Sequence, residues 1–135
     1  MSNPIIRSRA PLRLGLAGGG TDVSPYCDVY GGAILNITID KYAYASISAR
    51  QEDKVVFNSI DLHTAEEFDV GLISDGSKLA LHRGVYNRII QQYNDGKPVA
   101  LTLNTHVDAP MGSGLGSSSA LVVAMVAAFS EFMSI

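Results

Sequence analysis

The residues best suited to chemistry lie together near the end of the chain, in Pro110-Met-Gly-Ser-Gly-Leu-Gly-Ser-Ser-Ser-Ala120. Gly112, Gly114 and Gly116 allow positive φ and a close approach of backbone to a ligand. Ser113 and Ser117 to Ser119 add hydroxyls, and one of the latter is expected to N-cap the helix that follows. The first turn of a helix carries unpaired N–H groups equivalent to roughly half a positive charge. Such a place suits a phosphate. Two common phosphate motifs fail here. No lysine follows Lys97, so there is no Gly-Lys-Ser/Thr loop, and Ser117 stands where a dinucleotide fingerprint needs glycine.

The elements that must position this loop can be read from hydrophobic periodicity. Ile5 to Leu16 reads as an extended segment broken by Pro11 and ended by Gly18-Gly19-Gly20. Ala33 to Ile39 and Lys41 to Arg50 read as two further strands. In the second, Ala43, Ala45, Ile47 and Ala49 alternate with Tyr42, Tyr44, Ser46 and Ser48. Short strands are expected at Val55 to Asn58 and Ala65 to Phe68. From Lys78 the period becomes helical, with Leu79, Arg83, Tyr86 and Ile90 beside Leu81, Val85, Ile89 and Tyr93, until Asn94-Asp95-Gly96 stops it. Val99 to His106 returns to strand, and an apolar helix follows the Gly-Ser loop to Phe132. The order predicts a single α+β unit over residues 1–135, a mostly antiparallel sheet with helices on one face.

Composition narrows the class. The chain has 135 residues, 47% of them hydrophobic and 17% charged, which suits a packed domain. Ten Lys and Arg against 13 Asp and Glu give a net charge of −3, so neither nucleic acid nor a membrane is expected as a partner. The longest apolar run, Ala120 to Phe129, is about half of what a membrane span needs. A single cysteine, Cys27, excludes an internal disulfide and fits a reducing cytoplasm, and the N-terminus lacks the apolar stretch of a secretory signal. Cys27 is expected to be a small buried hydrophobe. His63, His82 and His106 are too far apart in sequence for a metal motif and are expected to be structural or on the surface.

The loop resembles the phosphate-binding motif of the GHMP kinases, P-x-x-x-G-L-G-S-S-x-A, at every fixed position. A second segment, Ala10-Pro-Leu-Arg-Leu-Gly-Leu-Ala-Gly-Gly-Gly-Thr-Asp22, is similar to the sugar signature of the galactokinase branch and lies about ninety residues earlier. With Tyr26-Cys27-Asp28 and Gly31-Gly32, it is most similar to the branch acting on D-glycero-D-manno-heptose 7-phosphate, with fucokinase-like members as neighbours.

The resemblance implies a GHMP-kinase N-terminal domain of the ribosomal protein S5 domain 2-like fold, binding ATP with Mg²⁺. The implied activity is phosphoryl transfer to a sugar or sugar-phosphate hydroxyl in nucleotide-sugar or surface-polysaccharide biosynthesis. Residue by residue, it implies ATP binding at Pro110, Gly112, Ser113, Gly114, Leu115, Gly116, Ser117, Ser118 and Ser119, with Gly114, Gly116, Ser117 and Ser119 cradling the phosphates and Mg²⁺ on Ser118. It implies a catalytic, substrate-facing Arg13 and substrate contacts at Gly19, Gly20, Thr21 and Asp22. Gly19-Gly20 replace the Glu-His pair of the galactokinase signature, which argues against free galactose. Strand alternation leaves Arg7 and Arg9 as candidates for a phosphate on the substrate. The family's downstream acidic residues and C-terminal glycine-rich motif are not found in these 135 residues, so the sequence reads as an N-terminal part of a longer kinase. The alternatives are a non-catalytic nucleotide- or sugar-binding module and a fucokinase-like sugar kinase. The apolar last helix leaves room for a homodimer.

Overall fold

A computed structural model describes residues 4–135; Met1 to Asn3, part of the N-terminus read for a signal, lie outside the described residues. The chain forms β1 (Ile5–Ala17), α1 (Tyr26–Tyr30), β2 (Leu35–Ala49), β3 (Lys54–Ser59), β4 (Thr64–Asp69), α2 (Ala80–Tyr93), β5 (Leu101–Val107) and α3 (Ser117–Met133). The five strands make one sheet in the order β1-β2-β5-β3-β4. Only β3 and β5 run parallel; the other three pairs are antiparallel.

The alternation read over Lys41 to Arg50 sets which side of the sheet is covered. Ala43, Ala45 and Ile47 are buried, as are Leu101, Leu103, Val55 and Phe57 from the neighbouring strands. Two helices close over this side. Helix α2 contributes Val85, Tyr86, Ile89 and Ile90, and α3 contributes Leu121, Met125 and Phe129. Phe57 lies at the centre, its ring 5.7 Å from those of His82 and Phe68 and 6.0 Å from Tyr86. Fully burying side chains of this kind contributes about 1.5–3 kcal/mol each. The Ser8 hydroxyl also faces α3, donating to the carbonyl of Ala124.

Several expectations need correction. Pro11 does not break the first strand: β1 lies at the sheet edge, where a residue without an N–H is tolerated. The two strands read at Ala33 to Ile39 and Lys41 to Arg50 are one, because β1 pairs along both halves of β2. Between the pairs Pro11↔Tyr42 and Arg13↔Thr38, Leu12 faces three residues, Ile39, Asp40 and Lys41. This bulge shifts the alternation and makes one strand look like two. The short helix α1 was not expected. Cys27 within it is only partly buried, its thiol 3.6 Å from the Asp28 carboxylate. On α2, Leu81 and Tyr93 are exposed.

Candidate functional site

The three loop glycines adopt the conformation their type permits, with φ of +79°, +75° and +71° at Gly112, Gly114 and Gly116. Gly116 is the N-cap of α3, in the left-handed region, and its carbonyl accepts the Ala120 N–H at 2.9 Å. This corrects the expected serine cap: no side chain caps the helix. Ser117, Ser118 and Ser119 instead form its first turn, with N–H groups that point outward and positive charge from the helix dipole.

Arg13 meets this loop directly, from about a hundred residues away in sequence. Its backbone N–H donates to the Leu115 carbonyl at 3.0 Å, fastening the loop to the outer edge of β1. Its guanidinium lies on Gly116. A Cβ added there would sit 1.5 Å from Arg13 Nη1 and 2.8 Å from Cζ. The glycine at 116 therefore serves two needs, a positive φ and space for an arginine. Arg13 itself is solvent-exposed, so its charge is open to a ligand at the helix terminus.

The Gly18–Asp22 segment forms a separate turn, reached from Arg13 through Leu14 to Ala17. Thr21 N–H donates to the Gly18 carbonyl at 3.1 Å and Val23 N–H to that of Gly20 at 3.2 Å. The Thr21 hydroxyl donates to the Ala33 carbonyl at 3.1 Å and accepts the Ala33 N–H at 3.2 Å. Gly32 is packed so closely that a Cβ would lie 1.9 Å from the Thr21 carbonyl oxygen. Thr21 is thus a structural tie, while Gly19, Gly20 and Asp22 stay exposed.

A cavity of about 160 Å³ opens beside the α3 N-terminus. Besides Val107 of β5, its walls come from three places. The end of β3 and the turn after it give Ser59, Asp61 and Leu62; the entry to α2 gives Lys78, Leu79, Leu81 and His82; and the loop and α3 give Met111, Ser117, Ser118 and Leu121. Ser117 and Ser118 line it at the α3 N-terminus, Ser59, Asp61, Lys78 and His82 are its other polar residues and the remainder is apolar, a profile that fits a ligand with an anionic tail and a flat apolar body. Sequence reasoning located the serines but missed the other two walls. Leu81, exposed on α2, lies on this cavity.

His82, 2% exposed, bonds through Nε2 to the Thr105 hydroxyl at 2.8 Å. Burial pushes its pKa down to about 4, against the opposing pull of Asp61 and Glu66. It is neutral near pH 7 and acts as a wall of the cavity. His63 is exposed, and His106 lies 3.4 Å from Asp108 and stacks on Tyr44. Among the described residues no group of three or more His, Cys, Asp and Glu is placed to hold a metal ion.

Arg7 and Arg9 do not join the loop. Strand alternation puts both on the uncovered side of the sheet, opposite α3. The Arg9 guanidinium lies 4.5 Å from the centre of the Tyr42 ring, and Arg7 lines a separate hollow with Tyr44, Ser46, Asn104 and His106.

The sheet order, the two helices on one side and the glycine-serine entry to α3 are those of the GHMP-kinase N-terminal fold, and residues 80–135 match the family model described as "GHMP kinases N terminal domain". The chain is 42% identical over 131 residues to a D-glycero-alpha-D-manno-heptose 7-phosphate kinase of Campylobacter jejuni, an alignment covering 96% of this chain and 38% of that protein. The crystal structure of a D-glycero-D-manno-heptose 1-phosphate kinase from Bacteroides thetaiotaomicron superposes with a TM-score of 0.88 at 47% identity, over 98% of this chain and 43% of that one. Lactococcus lactis galactokinase, solved with galactose, shares the fold with a TM-score of 0.75 at 20% identity, over 97% of this chain and 33% of its own. The chain thus spans about two-fifths of the heptose-phosphate kinases it matches. No helix among the described residues is long and apolar enough to cross a membrane.

Proposed function

We propose that this chain is the nucleotide-binding part of an ATP-dependent kinase that phosphorylates a hydroxyl of a sugar phosphate. The observation that carries this reading is the seating of Arg13 on Gly116, at the open N-terminus of α3 and beside an apolar cavity. Phosphoryl transfer asks mainly for positioning and for stabilisation of charge spread over phosphate oxygens. The first-turn N–H groups of Ser117 to Ser119 are fixed donors for those oxygens, with the backbone of Pro110, Gly112, Ser113, Gly114, Leu115 and Gly116 shaping the cradle. The base and ribose of ATP fit the cavity between Leu62, Leu79 and Met111.

Ser118 lines the cavity at the α3 N-terminus, where its hydroxyl is a hard oxygen donor suited to Mg²⁺. When bound there, Mg²⁺ would neutralise charge on the phosphates. Arg13, free of any ion pair among the described residues, adds a permanent positive charge at the same place.

The acceptor side is the Gly18–Asp22 turn. The Asp22 carboxylate is exposed and accepts hydroxyl hydrogens, while Gly19 and Gly20 present backbone rather than side chains. A turn without bulky groups leaves room for an acceptor that already carries a phosphate. We infer D-glycero-D-manno-heptose 7-phosphate as that acceptor, on the strength of the two heptose-phosphate kinases, whose names place the phosphate at different positions. On this reading the protein acts in the cytoplasm.

The test is Ser118→Ala in the full-length protein, assayed for MgATP-dependent phosphorylation of heptose 7-phosphate. Loss of a group placed on the transferring phosphates lowers turnover by on the order of a hundredfold or more. Wild-type turnover in this variant would refute the assignment.

A further inference from the structure

The entry to α2, Lys78 to His82, makes one wall of the cavity assigned above to the nucleoside; its far end is tied to β5 through His82 and Thr105, and at its near end the Leu79 N–H meets the Ser77 hydroxyl at 3.1 Å. Leu79 is the N-cap of α2 and offers no side-chain cap, and the first turn contains no acidic residue. The missing acceptor comes from another element. Glu66, in the middle of β4, receives the Lys78 N–H on Oε1 at 2.9 Å, and the Leu79 N–H and Ser77 hydroxyl on Oε2 at 3.1 and 2.7 Å. Burial works against its charge, but the donors from Lys78, Ser77 and Leu79 outweigh it and hold its carboxyl below the usual carboxylate range. Glu66 itself is not among the residues lining the cavity.

We propose that Glu66 is a positioning residue for nucleotide affinity: it clamps Ser77 to Leu79 onto the sheet and so fixes the nucleoside wall without touching the ligand. This rests on the nucleotide reading of the cavity. It separates the base-binding wall, held by β4 through Glu66 and by β5 through Thr105, from the phosphate loop, held by β1 through Arg13. Glutamine keeps the shape of Glu66 but loses the charge and one of the two acceptor oxygens.

The experiment compares two probes on the wild-type protein and on Glu66→Gln: MgATP, which needs both cavity and loop, and magnesium tripolyphosphate, which needs the loop alone. The expected result is a MgATP Kd raised on the order of tenfold, with the tripolyphosphate Kd changed by less than about twofold. Equal weakening of both probes would mean a general loss of structure and would overturn the proposal, as would unchanged MgATP binding. If Glu66→Gln fails to fold by circular dichroism, Ser77→Ala carries the same comparison, because it removes one anchor and leaves the carboxylate. A wild-type protein that binds neither probe overturns the nucleotide reading itself, and this proposal with it.

Discussion

At Gly116 two demands meet on one residue. Its φ of +71° is costly for any side chain, and a methyl group there would occupy the space of the Arg13 guanidinium. Gly116→Ala should lose about 1–2 kcal/mol of stability from the backbone alone. It should also displace Arg13 and weaken MgATP binding. The two effects separate in a double-mutant cycle, because the binding loss should largely vanish when Arg13 is already alanine. Titration of MgATP into the four proteins checks this; an additive cycle would mean that Arg13 and Gly116 act independently.

His82 gives a second residue-level prediction, in pH. Its folded pKa, about 4, lies below the unfolded value near 6.5. The unfolded chain therefore binds the extra proton first, and stability rises with pH across this window. The stabilisation is complete above about pH 6.5 and is lost as the pH falls toward 4, by about 3 kcal/mol in all. Glu66 and Asp69, whose folded pKa values are lowered, add a further loss only below their ordinary values near 4.5 and 3.8. Urea unfolding between pH 7 and pH 4.5 should show the drop, and the paired change His82→Leu with Thr105→Val should flatten it. A slope that persists in the double variant would place the titrating group elsewhere.

Among the elements, what the sequence reveals depends on whether a local pattern has a single cause. The alternation from Tyr42 to Ala49 reports one buried side of one strand and was legible, as was the glycine-to-serine switch that starts α3. The length of β2 was not, because the bulge opposite Leu12 depends on which strand lies beside it. The cavity was half legible for the same reason. Ser117 and Ser118 belong to a motif, whereas Asp61, Leu62 and Lys78 reach the site only through the order β5-β3-β4. Arg13 was legible as a type of residue, but its seat on Gly116 was not, since nothing local links positions about a hundred apart. Phe57 tests the packing beneath that arrangement. It is fully buried among rings from β4 and α2, so Phe57→Ala should lower stability by about 3–5 kcal/mol. Chemical denaturation would show it, and a loss under about 1 kcal/mol would mean the centre of this core is placed wrongly.

For the whole molecule, the uneven cover of the sheet decides how these 135 residues behave in solution. Ala10, Leu12, Leu14 and Leu16 follow one another on the same side of β1, and their exposure climbs from 5% and 0% to 42% and 60%. The change comes where α3 starts, because no helix lies over β1 beyond Arg13. Across β2, Leu35 and Ile37 are bare as well, and Val29 and Tyr30 of α1 add to the apolar surface. The last helix, expected to leave room for a homodimer, buries Leu121, Met125 and Phe129 and leaves Val123, Val126 and Ala127 exposed. Contiguous apolar surface of this kind drives association in water. The 135-residue chain should therefore self-associate through the β1–β2 extension, and Leu16→Lys with Ile37→Lys should reverse this while leaving the core intact. Sedimentation velocity over a roughly hundredfold concentration range decides the matter, since association by mass action must grow with concentration. A wild-type chain that stays monomeric throughout, or a doubly substituted chain that associates as strongly, would move the sticky surface to another part of the fold.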